Sequence, residues 1–508
     1  MIGQGEALTG VFPPWQVSVA GEPSYEQLVA DNAALRAENA ELKALVAELS
    51  EQVAELTRRL AADSSNSSRP PSSDAPWDKP AKKRSSRTRS GRRPGKQSGA
   101  SSSSRRLVDD PDEVVVIEAD RCHGCAAPLA DAPVVDRQRR QVVDAGPVPA
   151  PEVIEYRRVS KACGCCGAVT TPGWEAGEGW PGHAETVAAP GSPVRIGPET
   201  LARCALLTCG HHLPVGRARQ LLAALSGMDV ATGSVAAVRG RAARKLEREF
   251  LGHMKTLLTT SPVLHADETC GRAAGAVTYV HVACTEYLTL MHVGGRSKEA
   301  IDAGGVLPAF TGVLVRDGYA GYDHLPALHA WCGAHLLRDL RSISDADPDG
   351  QLWATAMATA LTEAHTAAAN ARERGADALD AATLTRIRRL YLGALARGEA
   401  DNQGEHTLLA DRARTLIERF RRYEDMILRF AADPAVPFTN NEAERAVRPV
   451  KVQQRTSGGC WRTIEGLTDF AIVHSYLDTA AKWGLDKLEA LRRLFTTGAW
   501  LPPAISPS

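Results

Sequence analysis

Two aspartates stand where an acidic side chain could bind a metal ion or another ligand. Asp267 ends the apolar run in SPVLHADETC, and Asp317 ends the apolar run in TGVLVRDGYAGY, next to Gly318. Short apolar runs of this kind predict β-strands, and a carboxylate at the end of a strand lies where a loop can meet a ligand. Carboxylate oxygens are hard ligands of the kind that Mg²⁺ prefers. Glu268 should point to the opposite face of the strand, so we do not count it as a ligand.

A third acidic candidate lies in the segment FTNNEAERAVRPVK, where two asparagines precede an acidic, arginine-rich helix start. We expect this helix to stop at Pro449. An ordinary interpretation is a capped, solvent-facing turn, with a capping box formed by Thr439 and Glu442 and an i, i+4 pair formed by Glu444 and Arg448. The segment alone does not separate this interpretation from one in which Glu444 acts with the two aspartates.

The segments around the aspartates predict the elements that must position them. Between Asp267 and Asp317 lie AVTYVHVAC and YLTLMHV, which predict strands, and SKEAIDAGG, which predicts a short helix. The order strand, strand, strand, helix, strand, with an acid at the end of the first and last strands, is that of a ribonuclease H-like core.

The part of the chain that separates Asp317 from Glu444, about residues 325–437, has the pattern of helices. After Glu444, the segment TIEGLTDFAIVHSYLDTAAKWG predicts an amphipathic helix. One face of that helix carries Ile464, Leu467, Phe470, Ala471 and Leu477. A helix of this kind can pack against a sheet, so that Glu444 can return to the sheet edge.

Four of the eleven cysteines form two C-x-x-C pairs, Cys122 with Cys125 and Cys163 with Cys166. Each pair offers two thiolates at the spacing that tetrahedral Zn²⁺ needs, and four protein ligands leave no open position, so we expect a structural zinc site. Cys165 is an alternative to Cys166. The segment RQVVDAGPVPAPEVIEYRRV between the pairs is β-like, and a ribbon this small should depend on the metal to fold.

A leucine heptad near the N-terminus predicts a coiled coil. The d positions are Leu28, Leu35, Leu42, Leu49 and Leu56, and the a positions are Asn32, Asn39, Val46, Val53 and Leu60. Asparagine at an a position favours in-register partners, because its buried amide is satisfied across a dimer seam. We expect self-association; the alternative is a helix packed on its own domain.

The next segment is rich in Ser, Pro and Gly and strongly basic. Between Arg69 and Arg106 it carries twelve Lys or Arg residues, including Lys82, Lys83, Arg84, Arg92 and Arg93, against only Asp74 and Asp78. Its composition cannot form a core, so it is a solvated linker. A flexible basic arm should also bind phosphate backbones without reading sequence, and salt should weaken that binding.

The region after the second C-x-x-C pair turns helical. A helix around Arg217 to Leu225, a turn at Ser226 and Gly227, and a second helix capped near Thr232 to Ser234 would suit a helix-turn-helix. Any two packed helices would look similar, so DNA recognition here is one of two interpretations.

The composition is that of an ordinary globular protein of about three domains, with 508 residues, 44% hydrophobic and 24% charged. Basic and acidic residues balance at 60 each, so only the local segregation of charge points to a nucleic-acid partner. The N-terminus lacks the pattern of a signal peptide, and no apolar run is long enough for a membrane span. We expect a cytoplasmic protein with reduced cysteines.

Taken together, these motifs resemble those of DDE transposases of the insertion-sequence-66 family. The resemblance runs from the heptads to about Gly484. It is carried by NSSRPPSSD, the paired C-x-x-C motifs, LPVGRARQLL, HADET, VRDGYAGY, CGAHLLRDL, NNEAERAVRPVKVQQRTSGG and HSYLDTAAKWG. Each motif alone is weak, whereas their order and spacing are highly specific. The chain departs from the family pattern at Cys270, where a small residue such as glycine is more usual, and at Arg316.

The resemblance implies a ribonuclease H-like catalytic domain with a helical insertion before the glutamate, and an acidic triad of Asp267, Asp317 and Glu444. The triad would hold two Mg²⁺ ions, or Mn²⁺, for DNA hydrolysis at the element's ends and transfer of the 3′-hydroxyl into target DNA. Arg445 and Arg448 would sit beside phosphates, with Asn440 and Asn441 capping the helix that presents Glu444; packing roles are equally compatible. The family's C-x-A-H element falls on Cys332 and His335, which would form an active-site wall or a buried helix.

The resemblance also implies double-stranded DNA as partner, a homodimer or larger assembly, accessory proteins of the same element, and a bacterial, nucleoid-associated location without a membrane. Two rival hypotheses are a catalytically silent DNA-binding remnant and a ribonuclease H-like nuclease that cleaves without joining. The fold class predicted is multidomain α/β. The predicted domains are a disordered N-terminus (1–24), a coiled coil (25–62), a basic linker (63–108), a zinc ribbon (109–172), a helical region (190–255), the catalytic domain (256–485, helical insertion about 340–437) and a C-terminal tail (486–508).

Overall fold

The computed structural model describes residues 25–60, 107–145, 147–148, 150–174 and 194–504. The predicted N-terminal segment, residues 1–24, lies outside the described residues. So does nearly all of the predicted basic linker, with Lys82, Lys83, Arg84, Arg92 and Arg93.

The described residues form a mixed α/β structure, as the sequence predicts. The strands are β1 (Lys161–Ala162), β2 (Val169–Thr170), β3 (Val263–Ala273), β4 (Ala276–Cys284), β5 (Thr289–Gly294), β6 (Val313–Arg316) and β7 (Leu328–Trp331). The helices are α1 (Tyr25–Leu60), α2 (Pro198–Ala205), α3 (Val215–Ser226), α4 (Thr232–Glu249), α5 (Leu251–Thr259), α6 (Lys298–Asp302), α7 (Gly333–Ala346), α8 (Leu352–Glu373), α9 (Ala381–Asp401), α10 (Leu408–Arg422), α11 (Glu424–Ile427), α12 (Arg429–Ala432), α13 (Asn441–Thr456), α14 (Ile464–Lys482) and α15 (Lys487–Thr496).

These elements divide into two compact units. We call the unit that contains α1 and residues 330–439 the helical unit, and the unit that contains residues 107–329 and 440–504 the sheet unit. β7 carries the chain from the sheet unit into the helical unit.

The sheet unit is built on a five-stranded mixed sheet in the order β5-β4-β3-β6-β7. β3 pairs antiparallel with β4 over its whole length and parallel with β6 over only its first three residues, Val263–His265. The predicted order of three strands, a short helix and a fourth strand is confirmed. The prediction that Asp267 ends its strand is wrong, because pairing with β4 continues β3 to Ala273. Asp267 instead lies just beyond the point where pairing with β6 stops.

α14 protects the outer edge of the sheet. β5 is an edge strand, and its backbone N–H groups at Thr289 and Met291 donate to the hydroxyls of Thr479 and Ser475 on α14, at 3.1 and 2.9 Å. These bonds satisfy donors that would otherwise remain open at the edge. The predicted apolar face of α14 is buried, except that Ile464 is 51% exposed.

The helical unit packs helices around a core that includes Trp331, Trp353, Tyr391 and Phe420. α8 packs against α7 and α9, and α10 packs against α9. The predicted helical insertion is therefore confirmed as helical. α1 covers the predicted heptads as one continuous helix, and the leucines at its d positions are half exposed or more.

The segment RQVVDAGPVPAPEVIEYRRV, residues 140–159, differs from its β-like prediction. Its described residues form no strand, and Val142 and Val153 are 95% and 89% exposed. The β-like interpretation was wrong because alternating apolar residues need a partner strand, and Pro147 and Pro151 remove the N–H donors that a ladder requires. β1 and β2, two residues each, form an antiparallel pair directly around the second C-x-x-C pair.

The helices before the sheet and at the C-terminus were also predicted from the sequence. α3 and α4 form the predicted pair, with Gly227 in the left-handed conformation (φ 64°) after α3. The predicted cap at Thr232 to Ser234 is wrong: Ala231 precedes α4, without a side-chain cap. The predicted tail contains α15, whose Leu491 and Leu494 are buried. No helix in the described ranges combines the length and apolar character that crossing a bilayer requires.

Candidate active site

The two aspartates lie at the same level of adjacent strands. The parallel register pairs Val263 with Val313 and His265 with Val315. Continued by two residues, this register sets Asp267 beside Asp317, which directly follows β6. Residues in parallel register point to the same face of a sheet. The sheet therefore places both carboxylates on one face.

Glu444 reaches this region on the first turn of α13. Ala443, Ala446, Val447 and Val450 form a buried stripe with helical spacing, and α13 packs through it on β3 and β4. Glu444 flanks the stripe and is half-buried.

The expected helix stop at Pro449 is wrong, since α13 continues through this proline to Thr456. A proline inside a helix costs about 3 kcal/mol. The burial of the apolar Val447 and Val450 on either side of Pro449 offsets that cost.

Asn440 fastens the start of α13 to β3. Its Nδ2 donates to the carbonyl oxygen of Ala266 at 2.7 Å, and its Oδ1 lies 3.0 Å from Nδ1 of His265. The expected capping by Asn440 is confirmed in position but not through its side chain, and the expected capping by Asn441 is wrong. Asn440 occupies the cap position without a side-chain capping bond, and Asn441 is an exposed first-turn residue. Sequence reasoning missed the bridge, although His265 two residues before Asp267 was a signal.

Two further contacts hold α13 along β3. The ammonium of Lys451 donates to the carbonyl oxygen of Cys270 and lies 3.1 Å from its Sγ. Oε1 of Gln454 accepts from the backbone N–H of Arg272 at 3.2 Å. Together with Asn440, these contacts tie the glutamate helix to the aspartate strand at three successive points.

The electrostatics of Asp267 show that the acidic side chains act on one another. Loss of hydration raises the pKa of Asp267 well above its usual range, and the negative charges of Asp317, Glu268 and Glu444 raise this pKa further. The backbone N–H of Glu268, which donates to Asp267 at 2.9 Å, opposes the shift. Like charges held together in this way are what a bound cation relieves.

The donor set fits a divalent cation. One oxygen of Asp267 accepts from the N–H of Glu268, and one oxygen of Asp317 accepts from the N–H of Tyr319 at 2.9 Å. Within the described residues, the second oxygen of each aspartate accepts no hydrogen bond. A cation would therefore find one available oxygen on each aspartate. These are hard oxygen ligands, and a cation would also relieve the repulsion among Asp267, Asp317 and Glu444.

The carboxylate of Glu268 binds other side chains, which agrees with its exclusion from the predicted metal ligands. Nε and Nη2 of Arg296 donate to its Oε1 at 3.1 and 2.8 Å, and the hydroxyl of Tyr322 donates to its Oε2 at 2.6 Å. Burial raises the pKa of Glu268 and that of Tyr322. Sequence reasoning missed Arg296, which lies outside the quoted motifs, and Tyr322, which ends the motif VRDGYAGY but carries no charge that marks it as a partner of Glu268.

Arg316 organises the loop that follows Asp317. Its guanidinium is fully buried and donates to the carbonyl oxygens of Asp317 and Tyr319, to Nδ1 of His329 at 2.9 Å and to the carboxylate of Asp323 at 2.5 Å. Burial lowers the pKa of Arg316 from its usual value. This departure from the family pattern therefore has a structural role. Its position directly before Asp317 was the available signal.

The other predicted site residues fall in different surroundings. Arg445 and Arg448 lie on the exposed side of α13, and Arg445 pairs with Glu442 at 3.2 Å. Cys332 and His335 belong to the helical unit, where Cys332 is buried directly before α7 and His335 is half-buried in its first turn.

The two C-x-x-C pairs form matching turns. In each turn the first cysteine's N–H donates to the carbonyl five residues later, Cys122 to Ala127 and Cys163 to Ala168, both at 2.8 Å. Backbone N–H groups lower the pKa values of both Cys122 and Cys163, which favours the thiolates that zinc needs.

The assembly of four thiolates around one ion stays a prediction. Among the cysteines that the structure describes here, no three sulfur atoms lie within 4.8 Å of one another. Each pair fits two zinc ligands, and the described residues of 140–159 between them form no strand ladder.

Comparison with known proteins places the chain in a family. The model described as Transposase IS66 family matches residues 193–469, which include all three acidic residues. A second model, described as a family of unknown function (DUF6444), matches residues 20–106. No curated protein matches the chain. Because the first match covers more than half of the sequence, the chain belongs to the IS66 transposase family.

Proposed function

We propose that the chain is a DDE transposase that cuts DNA at the ends of its element and joins the freed 3′-hydroxyl to target DNA. Its family implies transposition-related cleavage and transfer of DNA in general terms. The single observation that carries the finer proposal is the parallel register of β3 and β6, which continues to Asp267 and Asp317, together with the negative charge of Glu444, which helps to raise the pKa of Asp267. The mixed sheet, with its order of strands and α6, supports a ribonuclease H-like core.

In this proposal Asp267, Asp317 and Glu444 hold two Mg²⁺ ions, or Mn²⁺. The ions would supply activation of the attacking hydroxyl and stabilisation of the leaving oxygen. The protein's own contribution is positioning: β3 and the end of β6 set the aspartates, and Asn440, Lys451 and Gln454 hold α13 so that Glu444 stays beside them. Glu268 keeps its charge paired with Arg296 and does not compete as a ligand.

The remaining regions would bind DNA and join protomers. We infer that the basic linker and the α3–α4 pair bind DNA, with Arg445 and Arg448 beside phosphates. The C-x-x-C pairs would close around one structural Zn²⁺ on metal binding. α1 would form a parallel dimer, since its d-position leucines are exposed. A monomeric mass for residues 20–62 at high concentration would contradict the dimer.

The setting of this activity follows from its substrate. We infer that the protein works in the bacterial cytoplasm, associated with the nucleoid when it is bound to DNA. Accessory proteins of the same element belong to the proposal, because the family resemblance implies them. We also propose the domain boundaries that were predicted from the sequence.

A strand-transfer assay tests the catalytic proposal. The substrate is DNA with the terminal repeats that flank the gene, incubated with Mg²⁺ and all proteins of the element. We expect joined products from the wild type and none from Asp267→Asn, which keeps the shape but removes the charge. Asp339→Asn in the helical unit is the matched control, because burial also raises the pKa of Asp339.

The products of this assay distinguish the transposase from the two rival hypotheses. Cleavage without joining would favour a nuclease, and binding without either reaction would favour a silent DNA-binding protein. Equal activity in the wild type and in Asp267→Asn would refute the assigned site.

A further inference from the structure

A cationic and aromatic cluster lies beside the acidic residues. The guanidinium of Arg296 lies 4.0 Å from the ring centre of Tyr319 and 5.5 Å from that of Tyr279. The hydroxyl of Tyr319 donates to the backbone oxygen of Arg296 at 2.7 Å. Arginine stacks on aromatic faces in this way where its plane must be held in one orientation.

The cluster is joined to both aspartate segments. On one side, Arg296 pairs with Glu268, the residue next to Asp267. On the other side, the N–H of Tyr319 donates to the carboxylate of Asp317. Arg296 is therefore held at the acidic site by two contacts, one with Glu268 on β3 and one with Tyr319 in the loop after β6.

The guanidinium retains binding capacity. Nε and Nη2 donate to Oε1 of Glu268, whereas Nη1 forms no hydrogen bond with any residue that the structure describes. The side chain is 45% exposed, while that of Glu268 is 4% exposed. The pair thus keeps its carboxylate inside and presents an edge of the guanidinium to solvent.

This arrangement suits a phosphate. A guanidinium binds phosphate oxygens through a planar fork of donors. The carboxylates of Asp267, Asp317 and Glu444 lie in this region, and their field repels a DNA backbone. A fixed cation beside them gives the backbone one favourable contact, and its orientation is already set by Glu268 and Tyr319, so little entropy is lost on binding.

We propose that the exposed edge of Arg296 binds a non-bridging oxygen of the DNA phosphate adjoining the reacting phosphodiester. Tyr319 and Tyr279 hold the guanidinium plane, and Glu268 anchors it. Arg296 is then a substrate-binding residue that positions the reacting strand over the acidic site. This inference rests on the proposed DNA strand transfer.

The test combines a protein variant with a DNA modification. Single-turnover strand transfer is measured with pre-cleaved element ends that carry one neutral methylphosphonate at each phosphate position in turn. For the wild type we expect a loss of about 10- to 100-fold at one or two positions near the reacting 3′-end, the range for a charge-assisted hydrogen bond. For Arg296→Gln we expect a similar loss with unmodified DNA and at most about a twofold further loss at those positions.

Two comparisons make the result specific. Arg386, a 48% exposed arginine paired with Glu363 in the helical unit, supplies the control Arg386→Gln, which should respond like the wild type. Arg296→Lys keeps the charge and serves if Arg296→Gln does not fold; it should show a smaller methylphosphonate response than the wild type.

The results also distinguish this inference from the proposed function. Additive losses at every position in Arg296→Gln, or full activity of that variant, would overturn the phosphate contact while leaving strand transfer in place. No joining by the wild type would instead refute the proposed function itself.

Discussion

Replacement of Asn440 by alanine tests how the glutamate helix is held against the aspartate strand. Asn440 is 1% exposed and serves two buried groups, the carbonyl oxygen of Ala266 and Nδ1 of His265. Each buried group left without a partner costs about 1–3 kcal/mol, so we expect Asn440→Ala to lower the free energy of unfolding by about 2–6 kcal/mol. That is a large fraction of the about 5–15 kcal/mol that keeps a protein folded.

The same substitution should also change catalysis, because Glu444 lies one turn from Asn440. We expect folded Asn440→Ala to need at least about tenfold more Mg²⁺ for half-maximal strand transfer, the effect typical of losing a residue that orients a metal ligand. Denaturant titration gives the stability, and strand transfer per folded molecule across a Mg²⁺ series gives the metal dependence.

The helical unit offers a close control. Asn402 is also 1% exposed, its Nδ2 donates to the carbonyl oxygen of Gly398 at 2.8 Å, and its Oδ1 accepts from Gln351 at 2.9 Å. Asn402→Ala should lose similar stability and keep the wild-type Mg²⁺ dependence. Wild-type Mg²⁺ dependence in Asn440→Ala, or an equal shift in both variants, would refute the reasoning.

Three further predictions follow from the sheet unit. Because the pKa of Asp267 is raised in the folded protein, its ionisation destabilises the metal-free fold increasingly as pH rises above the usual value of 3.8. Asp267→Asn should therefore raise the melting temperature measured in EDTA at pH 7, and this gain should vanish toward pH 3.8. A melting temperature of Asp267→Asn below that of the wild type at pH 7 would contradict this prediction. Arg316→Met should lower the free energy of unfolding by about 3–5 kcal/mol, because it leaves the buried hydrogen-bond partners of Arg316 unpaired. A change under about 1 kcal/mol in denaturant titration would show that Arg316 does not organise the loop after Asp317. Protein purified without chelator should contain one zinc per chain and Cys122→Ser much less, whereas metal analysis near zero for the wild type would rule out the zinc site.

The fold was predictable where local pattern and local structure agree. Apolar runs with β-branched residues became β3, β4, β5 and β6, and the heptads became α1. Element ends were less predictable. β3 runs past Asp267 because β4 pairs with it, and α13 runs past Pro449 because the apolar Val450 is buried beyond it. Local signals cannot report a partner strand or a packing surface.

The sequence by itself determined the chemical groups of this protein: three carboxylates, two cysteine pairs and a heptad seam, together with a motif order that places it in its family. The tertiary structure alone decided how the carboxylates are held. Asn440 meets His265, and Arg296 meets Glu268 and Tyr319, only because the sheet and α13 bring distant segments together. Hydrogen bonds and charge interactions act over a few ångströms of space, irrespective of separation along the chain, and no sequence spacing encodes them.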